Sequence, residues 1–159
     1  MAMLPFFEWC EASGIGTAIR ESVWAFAVIE SIHLVALALI GGAVLLVDLR
    51  LLGLVLRGYP PGQIARDAQP WFNASLAVML VTGVALFLSE SVKCYYSTPF
   101  WWKMTSLLLA VIFTYSVRRT VSFADEGRVT PARMRIVALV SLSLWLSVGA
   151  AGRWIGFSG

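Results

Sequence analysis

The chain has 159 residues, 59% of them hydrophobic and only 13% charged, with a mean hydropathy of +0.81. That is too apolar for an ordinary soluble domain, and the length suits a single transmembrane domain over residues 1–159 with no room for a separate soluble catalytic module. A formal net charge of +3 does not point to nucleic acid, because the basic residues gather in two loops, as membrane topology requires.

The opening segment, "MAMLPFFEWCEASGIGTAIRES", lacks the basic leader and continuous apolar core of a secretory signal. Its aromatics and scattered acids suit a short interfacial helix before the first span, or an irregular lead-in. Four stretches then reach the roughly 20 residues that cross a bilayer: about 22–47, 71–89, 99–117 and 135–157. The apolar periodicity of "LRLLGLVLR" carries the first helix on to about Arg57, where "YPPG" stops it. The predicted fold is therefore all-α, an integral membrane four-helix bundle.

Orientation follows from the arginines. Arg50, Arg57 and Arg66 lie in the first loop, and Arg118, Arg119, Arg128, Arg133 and Arg135 in the third, which makes both loops cytoplasmic. Both termini and the loop around Cys94 then face the periplasmic side of a bacterial inner membrane. There an oxidising compartment permits a Cys10–Cys94 disulfide, although two unpaired thiols fit the sequence equally well.

Glu30 and His33, the only histidine, sit inside the first span. At 100° per residue Glu30, His33, Leu37, Gly41, Val44 and Asp48 share one face, which should look into the bundle. An ionised carboxylate there costs at least about 2.5 kcal/mol and must be paired, hydrated or neutral. Lys103 and Arg153 are the candidate counter-charges, each about 6 Å inside its span from the same side by helical rise. Ser106, Ala110 and Thr114 continue the face of Lys103, while Gly149, Gly152 and Gly156 surround Arg153 and permit close helix approach. Asp48 with Arg50 reads as a charged helix exit, and "DEG" in the third loop as a turn.

The expected site is thus Glu30, His33, Lys103 and Arg153 in the periplasmic half of the membrane. One reading makes it a structural ion-pair network with His33 as a hydrogen-bonded core residue, which suits a non-catalytic accessory subunit. Another makes His33 a metal ligand, as the axial ligand of haem b, with Glu30 accepting from the ring and Lys103 or Arg153 near the propionates. The sixth position would then fall to Met79, Met104, the Lys103 amine, His33 of a second copy, or nothing. A third passes protons between His33 and Glu30 in a channel or transporter. A zinc or copper site is poorer, because Glu30-x-x-His33 lacks the further carboxylates and second histidine such sites use. No phosphate loop and no nucleophile arrangement points to an enzyme. The expected partners are the lipid bilayer and either a second copy or a membrane-complex subunit.

The stretches "IESIHLVALALIGGAVLLVDLRLLG", "PFWWKMTSLLLAV" and "SLSLWLSVGAAGRWIGF" resemble an uncharacterised family of small bacterial four-helix membrane proteins over nearly the whole chain. More distantly, the early histidine of helix one and the tryptophan-lysine pair opening helix three resemble copper-resistance D-type proteins and membrane protoporphyrinogen oxidases. That resemblance implies haem or metal handling, with His33 and Lys103 at the matching positions. Such relatives often carry another histidine near the end of helix three, where this chain has "FTYSVRR" at 113–119. A haem held by two histidines of one chain is therefore ruled out by composition.

Overall fold

A computed structural model describes residues 3–124 and 128–156. The turn expected at "DEG" (125–127) and the end of the fourth expected span lie outside the described residues. Two short helices, α1 (Leu4–Glu11) and α2 (Gly14–Glu21), precede α3 (Ala25–Leu51) and α4 (Pro61–Ser89). After α5 (Ser91–Tyr96) comes α6 (Thr98–Phe113), continued without a break by a π-helical turn (Thr114–Arg118) and α7 (Arg119–Ser122), and the described helices end with α8 (Pro131–Ile155). Among the described residues no strand occurs, and α3, α4, the 98–122 rod and α8 are each long and apolar enough to cross a membrane.

The four long helices form two tight pairs, α3 with α4 and α6 with α8, joined mainly where α3 meets α8. A central apolar layer of Ala36, Ile40, Val44, Leu76, Met79, Leu107 and Val148, with Phe72 and Trp145 crossing edge to face at 5.5 Å, draws on all four. A second cluster around Val47, Ile64, Val121 and Ala138 closes the end bearing the two long loops, called here the loop end.

At the opposite, terminal end, α1 and α2 pack onto α4 and α5. Glu11 ties them down: one carboxylate oxygen accepts the Val92 N–H at 2.7 Å and the other meets Arg20 at 3.3 Å. Arg20 in turn donates to the Ser89 carbonyl at 3.2 Å. Gly16 is required by close approach, since a Cβ there would overlap the Leu88 carbonyl oxygen. Trp9, Trp24, Tyr96, Trp102 and Trp154 stand exposed toward this end, and Tyr59 and Trp71 toward the other, as aromatic residues do at the two interfaces of a bilayer.

Of the boundaries that differ from the sequence expectation, three have a clear local reason. The first long helix stops at Leu51, not Arg57. Gly53 takes φ +76° there, the Leu54 N–H bonds the Leu49 carbonyl, and the Gly53 N–H bonds Arg50, a Schellman closure. The second starts at Pro61 rather than 71. Pro60 holds an extended cap, Pro61 fits the first turn, and the later Pro70 is absorbed inside the helix. The third runs on to Ser122 because the π turn carries it past Arg118 into α7.

Candidate functional site

Two polar sites lie inside the bundle, one on each side of the apolar layer. His33 and Asp48 are 15 residues apart on α3, which at helical rise separates them by about 22 Å.

Near the terminal end, His33 lies eight residues past the start of α3 and is 8% exposed, about 12 Å along the helix. Its ring is pressed against α4, where a Cβ on Gly83 would stand 3.3 Å from Cε1. Nδ1 is 2.9 Å from Thr82 Oγ1. That hydroxyl has one proton and directs it at the Val78 carbonyl, 2.7 Å away, so at His33 it accepts. The Met79 carbonyl also faces the ring. The Thr82 acceptor assigns the proton to Nδ1 and leaves the lone pair on Nε2. Nε2 is buried and has no hydrogen-bond partner among the described residues. A ring held through Nδ1–H with a free Nε2 is the arrangement that prepares histidine to take a ligand.

Lys103 reaches the same layer from α6. Its ammonium lies within electrostatic reach of the His33 ring, and its stem runs along Gly152 of α8, where a Cβ would stand 3.4 Å from Nζ. No carboxylate among the described residues forms an ion pair with it. The other two expected members are placed differently. Glu30 sits on the exposed border of α3 and Arg153 on an exposed face of α8. His33 and Lys103 are brought together, and Glu30 joins neither of them in a salt bridge or hydrogen bond.

The reason for Glu30 is rotational. It is turned about 60° from His33 on the helix, to the same side as Asp48, but near the helix end, where the neighbouring helices no longer cover that side. Met79 is buried one turn below Thr82, and Met104 faces outward. Among the described residues no three His, Cys, Asp or Glu side chains converge, which removes support for a metal ion held at His33 by protein groups alone.

Cys10 and Cys94 are both free thiols. Their helices pack together, Phe7 of α1 lying 5.1 Å from Tyr95 of α5. Burial, then the neighbouring Glu90, pushes the Cys94 thiol up to about 11.

The site at the loop end was not expected from the sequence. Asp48 is fully buried rather than a charged helix exit, and Arg118 is 8% exposed rather than a loop residue. Arg118 Nε donates to Asp48 Oδ1 at 2.6 Å and Nη2 to the Val44 carbonyl at 3.4 Å. The π turn supplies the rotation that aims Arg118 inward, and π turns recur at functional sites. One turn back, Thr114 accepts the Trp145 indole N–H at 3.1 Å. Ser141 stands beside the carboxylate, but neither its Oγ nor Asp48 Oδ2 makes a well-formed hydrogen bond among the described residues. A cavity of about 20 Å³ touches Thr114, Arg118 and Ser122, room for about one water. The signal in the sequence was an aspartate inside the periodic face of helix one, matched by an arginine just past the third expected span.

The profile of a family of unknown function, DUF6644, matches residues 6–158. No curated protein and no solved structure matches the chain. The distant resemblance to copper-resistance D-type proteins and membrane protoporphyrinogen oxidases is without support from these comparisons. A profile covering all but the ends of the chain makes this protein a member of the DUF6644 family.

Proposed function

We propose that the protein binds an apolar cofactor or ligand between its helices through His33, in a redox or cofactor-handling role at a bacterial inner membrane, with haem b as the candidate. The observation that carries this reading is the His33 ring, tied at Nδ1 to Thr82 and buried with an unpartnered Nε2. A buried polar atom left without a partner costs about 1–3 kcal/mol, and a ligand removes that cost.

The residues fit haem in their chemistry. His33 would hold the iron, and Lys103, which has no carboxylate partner among the described residues, would neutralise a propionate. Bound haem would supply one-electron chemistry. The chain's own residues hold the imidazole tautomer, place a cation beside it and exclude water. They fit less well in space, because Nε2 is covered and α4 must separate from α6 to admit a macrocycle. The arginine-rich loops favour the orientation with both termini periplasmic.

An absorption spectrum of the protein purified from haem-supplemented cells is the test. A Soret band that disappears in His33→Ala is expected, and its absence from the unaltered protein would remove haem from the proposal.

A second reading, a non-catalytic subunit of a membrane assembly, is favoured by Glu30. This acid stands six residues past the exposed Trp24 on an exposed border of a membrane helix, and in lipid it needs covering by a second copy or another subunit. Cross-linked oligomers in native membranes, lost in Glu30→Leu, are expected on that reading. A proton pathway between His33 and Glu30 has less in its favour, because no salt bridge or hydrogen bond joins the two.

A further inference from the structure

The covering of His33 is unequal on its different sides. Toward the terminal end, Phe7, itself 3% exposed, packs on Phe87 at 5.5 Å, Tyr95 at 5.1 Å and Trp101 at 6.1 Å, and Phe87 stacks on Phe100 at 5.8 Å. Phe87 is one turn beyond Gly83, so this aromatic cluster lies between the histidine and the water beyond that end. Toward the loop end stands the apolar layer. Behind His33 the α3/α4 pair is closely packed.

Of the two sides that remain, one faces α8, which packs on α3 and carries Gly152 against the Lys103 stem, and the other is the seam between α4 and α6. These two helices do not pack backbone against backbone, in contrast to α3/α4 and α6/α8. They are bridged by side chains at two heights, the Phe87–Phe100 stack above and the Tyr115 hydroxyl donating to Asn73 at 2.7 Å below. Between those bridges, helical rotation from Asn73 and Phe87 turns Leu80 and Val84 of α4 toward the seam, and rotation from Phe100 and Tyr115 does the same for Met104 of α6. All three are exposed, at 49%, 58% and 44%. Gly83, which touches the His33 ring, is half-buried behind this strip, and Lys103 precedes Met104.

We infer that His33 is reached from the bilayer through the α4/α6 seam, at the height of Gly83, and not from water. The ligand of the site is accordingly a membrane-dissolved amphiphile, with an apolar body that passes Leu80, Val84 and Met104 and an oxygen-bearing head that accepts from Lys103. This rests on the reading of His33 as a ligand-binding residue and adds the route and the ligand class.

Because His33 is the only histidine, diethyl pyrocarbonate, a small bilayer-soluble acylating reagent, gives a direct readout. Its modification of Nε2 is followed by mass spectrometry of the His33 peptide in lipid vesicles. In a Cys10→Ser/Cys94→Ser background, Val84→Cys and Met104→Cys are joined by a bifunctional maleimide, and helical content is checked before and after joining. Modification in the unjoined chain, slowed at least about tenfold by joining, is expected. Equal rates in joined and unjoined chains place the route elsewhere and overturn the inference, as does an unjoined chain whose His33 never reacts. The haem spectrum fails or succeeds independently of this rate, so loss of the haem proposal and loss of the route are told apart.

Discussion

The two polar sites of the bundle differ in how their charges are balanced. At the loop end Asp48 and Arg118 neutralise each other inside the fold at 2.6 Å. At the terminal end an imidazole and an ammonium share a layer with no carboxylate among the described residues bonded to either, and Glu30 stands outside it. A balanced pair locks helices together, whereas an unbalanced layer leaves something to be supplied. The loop end therefore reads as the structural site, and the terminal end is the one to which the binding proposal applies.

The largest expected effect comes from unbalancing the locked end. Arg118→Met leaves Asp48 buried without its counter-charge and should cost about 3–5 kcal/mol, read as loss of the monodisperse folded species on heating in detergent. Asp48→Leu combined with Arg118→Met should recover much of that stability. If the single substitution has no effect, the comparison between the two ends fails.

Gly16→Ala tests the clamp over the terminal end. The added methyl overlaps the Leu88 carbonyl, and overpacking of this kind costs about 1–3 kcal/mol. Faster proteolysis of the segment before α3 is expected while the long helices stay protected.

Thr82→Val sharpens the claim about the histidine. Removing the hydroxyl that accepts from Nδ1–H should cost about 1 kcal/mol. In spectra of ¹⁵N-labelled histidine, which report this ring alone, the single Nδ1–H tautomer should give way to a mixture. An unchanged tautomer would mean that the Thr82 hydroxyl does not set it.

The effect with least bearing on the two ends concerns Cys94 and reads local burial. Its thiol is raised from 9.0 to about 11, so at pH 8 its thiolate fraction, and with it the alkylation rate, should be about 100-fold below that of an ordinary thiol. The rate should keep climbing past pH 9 toward 11. Because the folded value is the raised one, the stability that burial of the neutral thiol contributes is complete below pH 9 and lost as pH rises toward 11. In Cys10→Ser, alkylation of Cys94 at the ordinary rate would show that α1 and α5 do not cover it.

Much of this was legible in the sequence. Apolar runs of about 20 residues bounded by Pro, Gly and arginine mark four spans, because a bilayer fixes the length of a helix that crosses it. The 100° periodicity also placed His33 and Asp48 on one inward face of α3. Single-residue cues misled where two applied at once: Gly53 ended a helix whose apolar pattern ran on, and Pro61 began one inside a segment that looked like a loop.

Sequence by itself determined the number of spans, the inward direction of His33 and the impossibility of a two-histidine haem in one chain, since these follow from length, period and count. Tertiary structure alone decided which charges meet. Pairing of Asp48 with Arg118 depends on a π turn that rotates one arginine inward, and isolation of Glu30 depends on where neighbouring helices stop covering α3. Both are relations between helices, and the periodicity of any one helix carries no record of its neighbours.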